Sequence, residues 1–206
     1  LAEDKKQGAE DEPSIDTKAM VRRPSFWLFF CWTIAMGGAG MALISQAGGI
    51  AKEAGPEQAA GTIATVVGLI SIFNGLGRVF FGNLFDKRGR RVTMMAVGIG
   101  FGLSAAVLAA ALGLKAFFLV VLGFGCCGFF YGGLNPSISA FVNASYGPTH
   151  YPVNFSVMNL NLLMASFGGT IAGMLFDASG SYMSTCLFMI GGGLVSLVFA
   201  GMIRKV

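Results

Sequence analysis

The sequence consists mainly of six apolar segments, each long enough to cross a membrane. They cover residues 25–51, 59–85, 92–112, 116–142, 155–177 and 182–203. A hydrocarbon core about 30 Å thick requires about 20 consecutive apolar residues in a helix, and a helix satisfies its own backbone hydrogen bonds in lipid. Charged residues make up only 12% of the chain, about half of the usual share in soluble proteins. We therefore predict an all-α membrane protein with six transmembrane helices.

The stretch before the first apolar segment differs in character from the rest of the chain. It is polar and carries charges of both signs, so we predict a solvated linker over residues 1–24 and a six-helix membrane unit over residues 25–206. The chain begins with Leu1 and not with Met, inside this linker and without the apolar core of a signal peptide. We therefore expect it to be a piece of a longer protein.

The basic residues lie mainly on one side of the predicted bundle. When the loops alternate between two sides, one side holds only Lys52 and Lys115. The other side holds the linker and the basic positions Lys87, Arg88, Arg90, Arg91, Arg204 and Lys205. Because basic residues accumulate on the cytoplasmic side, both termini are predicted to be cytoplasmic, in a plasma or inner membrane. The net charge of +4 forms no basic and aromatic face, so the lipid bilayer is a predicted partner and nucleic acid is not.

One short pattern occurs twice, at the ends of two spans. The pattern Gly-x-Leu-Phe-Asp-x-x-Gly covers residues 82–89 and again residues 173–180. The first copy ends the second span and the other ends the fifth, so alternating loops place them on opposite sides of the membrane. Inverted repeats produce this arrangement. The sequence therefore predicts two three-helix repeats of inverted topology.

Arg78 is a cation near the middle of the second span. It lies eight residues before Asp86, where the charged turn begins, and this spacing corresponds to a depth of about 12 Å. Such a cation costs several kcal/mol unless it faces a partner or a watery cavity. It either snorkels to the interface or pairs with an acid outside this chain, or it binds an anionic substrate through its planar guanidinium. No acid of this chain lies at a similar depth, and this favours substrate contact.

Other polar residues within the spans could line the same cavity or could only tie helices together. Asn74 lies one helical turn before Arg78, on the same face of the helix. The other candidates are Gln46, Tyr131, Asn135 and Asn159. Pro136 has no backbone N–H and should interrupt the fourth span one turn earlier, as in the broken helices of carriers.

The charged turn resembles a loop motif of the Major Facilitator Superfamily. Residues 82–91 read Gly-Asn-Leu-Phe-Asp-Lys-Arg-Gly-Arg-Arg, which is similar to the superfamily pattern Gly-x-Leu-Ala-Asp-Arg-x-Gly-Arg-Arg. Three further segments resemble the oxalate/formate antiporters and the related monocarboxylate transporters: residues 74–78, 129–133 and 175–182. The resemblance runs from about residue 25 to the end. It implies the C-terminal half, helices 7–12, of a twelve-helix carrier whose N-terminal half is a partner and whose central loop contains residues 1–24.

The same resemblance implies roles for individual residues. Transporters of this type carry an Arg on helix 8 that engages the substrate carboxylate, and here this is Arg78. Proton-coupled members place an Asp where this chain has Asn74, so proton symport through this pair is not expected. Asn161 falls where oxalate/formate antiporters carry a second cation, which favours a monoanion. The loop motif implies a gate, although its charges could instead only anchor the loop; its residues are Gly82, Asp86, Gly89, Arg90 and Arg91.

These features predict a secondary active or facilitative carrier that moves small organic anions by alternating access. Monocarboxylates such as formate, lactate or pyruvate, or else oxalate, are the expected substrates. Two alternatives stay open: a superfamily carrier for sugars, amino acids or drugs in which Arg78 is structural, and a membrane sensor or scaffold without transport. An enzyme is not expected, because no intramembrane set of His, Cys, Asp or Glu residues supports acid–base or metal chemistry. No cofactor is predicted.

Overall fold

The computed structural model describes residues 14–203, and every regular element in this range is an α-helix. This confirms the all-α prediction. In chain order the helices are α1 (Thr17–Arg22), α2 (Pro24–Ala54), α3 (Ala60–Leu114), α4 (Phe117–Tyr131), α5 (Leu134–Tyr146), α6 (Tyr151–Met158), α7 (Asn161–Ser179) and α8 (Met183–Met202).

Helix α3 contains two membrane spans joined at Gly89. Its 55 residues would extend about 80 Å as a straight helix, far more than the hydrocarbon core. At Gly89 the backbone leaves the helical region, with φ 77° and ψ 175°, a conformation that glycine adopts without steric cost. The arms (residues 60–88 and 90–114) then run side by side, because a Cβ on Gly133 would meet both Phe81 of the first arm and Val97 of the second.

Two of the remaining spans are interrupted near their middle. The fourth span consists of α4 and α5, which are separated at Gly132 and Gly133, one turn before Pro136, as predicted. The fifth span consists of α6 and α7, and its sequence did not predict this break. There the side chain of Asn161 donates from Nδ2 to the carbonyl of Met158 at 2.7 Å, so the side chain partly replaces the interrupted backbone bonding. The remaining spans are α2, each of the two arms of α3, and α8. The described chain therefore has six spans, at the predicted positions.

Helix α2 lies against α7 and α8, while α3 packs mainly on α4 and α8. Glycines allow the closest of these approaches. A Cβ on Gly168 of α7 would overlap the backbone of Gly38 in α2, and a Cβ on Gly37 would lie 2.8 Å from the Cβ of Ala165. Small residues at helix contacts are the usual means by which transmembrane helices pack tightly.

The loops gather at two opposite ends of the bundle. At one end, which we call the motif end (residues 14–25, 86–91 and 146–151), Ile15 N donates to Tyr146 O at 2.8 Å. At the other, which we call the far end (residues 52–59, 113–117 and 177–183), Lys115 Nζ donates to Glu53 O at 3.1 Å.

The two copies of the Gly-x-Leu-Phe-Asp-x-x-Gly pattern lie at opposite ends, as inverted repeats require. The first copy, residues 82–89, lies at the motif end, and the copy at 173–180 reaches the far end. Both copies finish on a glycine with positive φ, 77° at Gly89 and 70° at Gly180. Each copy of the pattern therefore ends on a glycine in a conformation that L side chains rarely adopt.

The prediction of a solvated linker needs correction for residues 14–24. Asp16 caps helix α1 by accepting a hydrogen bond from Ala19 N at 2.9 Å, and Met20 is completely buried against the bundle. An N-cap followed by a buried apolar side chain therefore docks this segment instead of leaving it in solvent. Residues 1–13 and 204–206, which include the predicted basic positions Arg204 and Lys205, lie outside the described residues.

Candidate functional site

A cavity of about 580 Å³ opens between the first, second, fourth and fifth spans. Polar side chains from two of these spans meet in it. The lining residues are Met41, Ile44, Val67, Ile70, Ser71, Asn74, Gly75, Arg78, Tyr131, Leu134, Asn135 and Leu162. Four of the predicted substrate-contacting residues, Arg78, Asn74, Tyr131 and Asn135, therefore line one cavity.

Arg78 is the cation among the described lining residues, and it has no acidic partner within residues 14–203. Its Nε donates to Asn74 Oδ1 at 3.1 Å, one helical turn away. The two terminal nitrogens of the guanidinium form no hydrogen bond with that part of the chain. Asn74 thus orients the guanidinium, and its remaining donors stay available for a planar acceptor such as a carboxylate.

The break in the fourth span brings its backbone against the second span at this site. A Cβ on Gly132 would overlap the carbonyl of Asn74 and would lie 3.1 Å from the amide nitrogen of Arg78. Tyr131 meanwhile lies over Gly40 of α2, where any Cβ would overlap its ring. These glycines therefore bring the Tyr131 and Asn135 wall within a few ångströms of the Arg78 wall.

Ser71 also lines the cavity, although it was not among the predicted residues. It precedes Asn74 by three residues and Arg78 by seven, so it belongs to the same face of the helix. That spacing could have identified it.

Residues 28–206 match the family described as the Major Facilitator Superfamily. This match covers most of the chain. The chain belongs to the Major Facilitator Superfamily. Among curated proteins, the Oxalate:formate antiporter of Oxalobacter formigenes is 34% identical over 118 residues, which are 55% of this chain and 27% of the antiporter. The matched segment thus spans about a quarter of that relative's length.

Membership in the Major Facilitator Superfamily, together with the apolar spans, makes the chain an integral membrane protein. Five helical stretches of the described chain are long and apolar enough to cross a membrane. One of these is α3, which supplies two spans because it reverses at Gly89.

Two predicted substrate-contacting residues lie away from the cavity of this superfamily member. Gln46 faces the fifth span, where its Nε2 lies 3.5 Å from the position of a Cβ on Gly173. Asn161 is fully buried at the helix break, and its Oδ1 has no partner among the described residues. The neighbouring Leu162 lines the cavity in its place.

The superfamily loop motif lies at the motif end, with its residues in different surroundings. Gly89 is required for the reversal of α3, whereas a Cβ on Gly82 would lie 3.6 Å from Pro136, an ordinary contact. Arg90 is partly buried, with its guanidinium 5.9 Å from the ring centroid of Phe141.

The charges of the motif also differ from one another in environment. Burial lowers the pKa of the Arg90 guanidinium, and the electrostatic influence of Tyr146 acts in the opposite direction. Asp86 and Arg91 are exposed and have no polar partner in the described range. Their side chains therefore remain accessible to a surface outside residues 14–203.

Proposed function

We propose that this chain forms one half of a carrier that moves small organic monoanions by alternating access. The supporting observation is Arg78, a cation in the middle of an apolar span that lines a cavity and lacks an acidic partner among residues 14–203. An unpaired cation at this depth is costly. A substrate carboxylate would offset that cost when it enters.

In the proposed site, the terminal nitrogens of Arg78 bind the carboxylate while Asn74 holds Nε. Tyr131 and Asn135 line the opposite wall and can donate further hydrogen bonds through the phenol and the side-chain amide. Gln46 and Asn161 are left out of this site, because the first faces the fifth span and the second is buried at the helix break. Asn74 cannot titrate near neutral pH, so exchange or facilitated diffusion is favoured over proton symport through this pair.

A monoanion is favoured because the described cavity wall supplies one cation. The curated relative is named for both oxalate, a dianion, and formate, a monoanion. A second carboxylate would have to give up its hydration beside apolar side chains without a compensating charge. The substrate resembles formate in charge more than oxalate.

The rest of the proposed carrier is an N-terminal half that completes the cavity and the gate. The accessible Asp86 and Arg91 at the motif end would contact that half in one conformation and release it in the other. Because the basic residues of the loops accumulate at the motif end, we assign this end to the cytoplasm.

The substitution Arg78→Gln tests the proposal in counterflow of labelled acetate or lactate by the full-length carrier in liposomes. Hydrogen bonds to a charged group contribute about 1.5–3 kcal/mol each, so the half-saturating concentration should rise by at least about tenfold. Arg22→Gln is the matched control, because Arg22 is exposed at the motif end, away from the cavity. It should leave counterflow unchanged.

Unchanged anion counterflow in Arg78→Gln would contradict the proposal. Transport of a neutral solute by both forms would identify a superfamily carrier in which Arg78 is structural. Failure of the wild-type carrier to move any solute would favour a sensor or scaffold.

A further inference from the structure

The polar and apolar side chains of the cavity are ordered along its depth. On the first arm of α3, Arg78, Asn74 and Ser71 follow one another toward the far end, and Ile70 and Val67 come after them. At about 1.5 Å per residue, Val67 lies about 10 Å beyond Asn74 along this helix. The cation and the polar groups therefore occupy the portion toward the motif end.

The wall formed by α2 follows the same order. The ring of Tyr131 lies over Gly40, so Met41, the next residue of α2, is at the level of Tyr131 and of the polar groups. Ile44 lies one turn farther toward the far end. Half of its surface (51%) is exposed, and it lines the cavity.

The far portion of the cavity is thus aliphatic on two of its walls. Ile70 and Val67 form one wall and Ile44 the other, and no polar lining residue of the described chain lies beyond Ser71 in this direction. Binding of an apolar group here would transfer it from water to an apolar surface, and this transfer is favourable. A charged or hydroxylated group would lose its hydration without a partner.

We propose that the cavity takes monocarboxylates with an apolar tail, bound with the carboxylate toward the motif end and the tail along Ile44, Val67 and Ile70. This inference rests on the proposed function, because it uses Arg78 as the carboxylate site. With bonds of about 1.5 Å, a tail of about four to six carbons crosses the aliphatic portion. Acetate and formate fill only the polar portion, and a dicarboxylate places its second charge among aliphatic side chains.

A homologous series of acids tests this arrangement in liposomes containing the full-length carrier. Counterflow of labelled acetate is measured against unlabelled acetate, propanoate, butanoate, pentanoate, hexanoate and oxalate. Each buried methylene contributes about 0.8 kcal/mol, so the apparent affinity should rise about threefold to fourfold per carbon until the tail reaches the end of the cavity. Oxalate should compete less well than butanoate.

The two proposals fail in different ways in this experiment. Exchange of carboxylates with no gain along the series, or with oxalate as the best competitor, overturns the tail site and leaves the anion carrier standing. Absence of any carboxylate exchange overturns both.

Filling the aliphatic portion should shorten the preferred tail. In Ile44→Phe, the longest acid that still gains affinity should be two or more carbons shorter than in the wild type. Ile72→Phe is the matched control, since Ile72 is similarly exposed at 62% but does not line the cavity. Equal loss for acetate and hexanoate in Ile44→Phe, or the same shift in Ile72→Phe, overturns the assignment of Ile44 to a tail site.

Discussion

Glu53 at the far end and Asn154 at the motif end join distant segments of the chain by different chemistry. At the far end the carboxylate of Glu53 accepts hydrogen bonds from Ser181 Oγ and from Tyr182 N, both at 2.7 Å. At the motif end a neutral side-chain amide, that of Asn154, forms the corresponding hydrogen bonds. Asn154 accepts from Thr17 Oγ1 at 2.8 Å and donates from Nδ2 to Ile15 O at 2.9 Å.

The far end joins transmembrane helices directly to one another. Glu53 ends the first span and caps the start of the sixth, and its backbone carbonyl also accepts a hydrogen bond from Lys115 between the third and fourth spans. Tyr182 adds packing, because its ring stacks on Phe176 of the fifth span with centroids 4.2 Å apart. Glu53 thus connects loops from several spans, through its carboxylate and through its backbone carbonyl.

The motif end mainly holds a peripheral segment. The bonds of Asn154 bind the chain around α1, which precedes the first span, to α6 of the fifth span. Hydrogen bonds to a charged group are stronger than neutral ones. We therefore infer that the contacts of Glu53 at the far end contribute more to stability than those of Asn154 at the motif end.

The largest effect is expected from Glu53→Ala. The substitution removes two charge-assisted hydrogen bonds, each of about 1.5–3 kcal/mol when well formed. Because Glu53 is only partly buried, we expect a total loss of about 3 kcal/mol in the free energy of unfolding. The measurement is equilibrium unfolding in mixed micelles, followed by the reactivity of the four cysteines within the spans.

Two further variants test whether the effect of Glu53 depends on these bonds. Glu53→Gln keeps one acceptor oxygen and should lose less stability than Glu53→Ala. Glu57→Ala, in the same loop, removes an exposed carboxylate whose hydrogen-bonding side-chain partner is its neighbour Gln58. It should unfold like the wild type, and a loss equal to that of Glu53→Ala would show that loop charge alone is responsible.

A smaller effect is expected at the motif end from Asn154→Ala. The change removes two neutral hydrogen bonds of about 0.5–1.5 kcal/mol each, so we expect a loss of about 1–2 kcal/mol in the free energy of unfolding. Thr17 and Ile15 are partly exposed, so their freed groups can reach water and the loss stays moderate. Asn143→Ala is the control, since Asn143 is exposed and its side chain forms no hydrogen bond with the described residues. A larger loss for Asn154→Ala than for Glu53→Ala would reverse the comparison.

The sequence predicted the spans and much of the cavity because both depend on local properties. Apolar length located the six spans, and the absence of an N–H on Pro136 located the break in the fourth. Helical spacing put Asn74 on the face of Arg78, and the hydrogen bond between them follows from it. These features require no knowledge of how the helices pack.

The sequence did not predict how the fifth span is rotated about its axis. Apolar side chains occupy every face of this span, with polar residues scattered among them, so its pattern does not indicate which face meets the first span. The family resemblance made Asn161 a candidate for the cavity, whereas its neighbour Leu162 lines it. The break before Asn161 contains neither Pro nor Gly, and the side-chain bond to Met158 that accompanies it gives no sequence signal.

The contacts at the two ends were also missed, for a related reason. Glu53 and Ser181 are 128 residues apart, and Thr17 and Asn154 are 137 residues apart. Alternation of the loops predicts which loops share an end but not which side chains meet there. Only the N-cap at Asp16 had a local signal, an Asp before a short helical stretch.

The smallest effect is expected from Ser25→Ala. This variant tests whether a hydroxyl pair at the motif end must form a short hydrogen bond to stabilise the protein. The Ser25 hydroxyl lies 3.4 Å from the Tyr146 hydroxyl, beyond the usual range of about 2.5–3.0 Å for an O–H···O bond. Its removal should change the free energy of unfolding by less than about 0.5 kcal/mol. Ser139→Ala is the matched comparison, because Ser139 and Tyr151 form the same hydroxyl pair at 2.8 Å and its loss should cost about 1 kcal/mol. If both variants lost the same amount, hydrogen-bond distance would not determine how much these hydroxyl pairs contribute to stability.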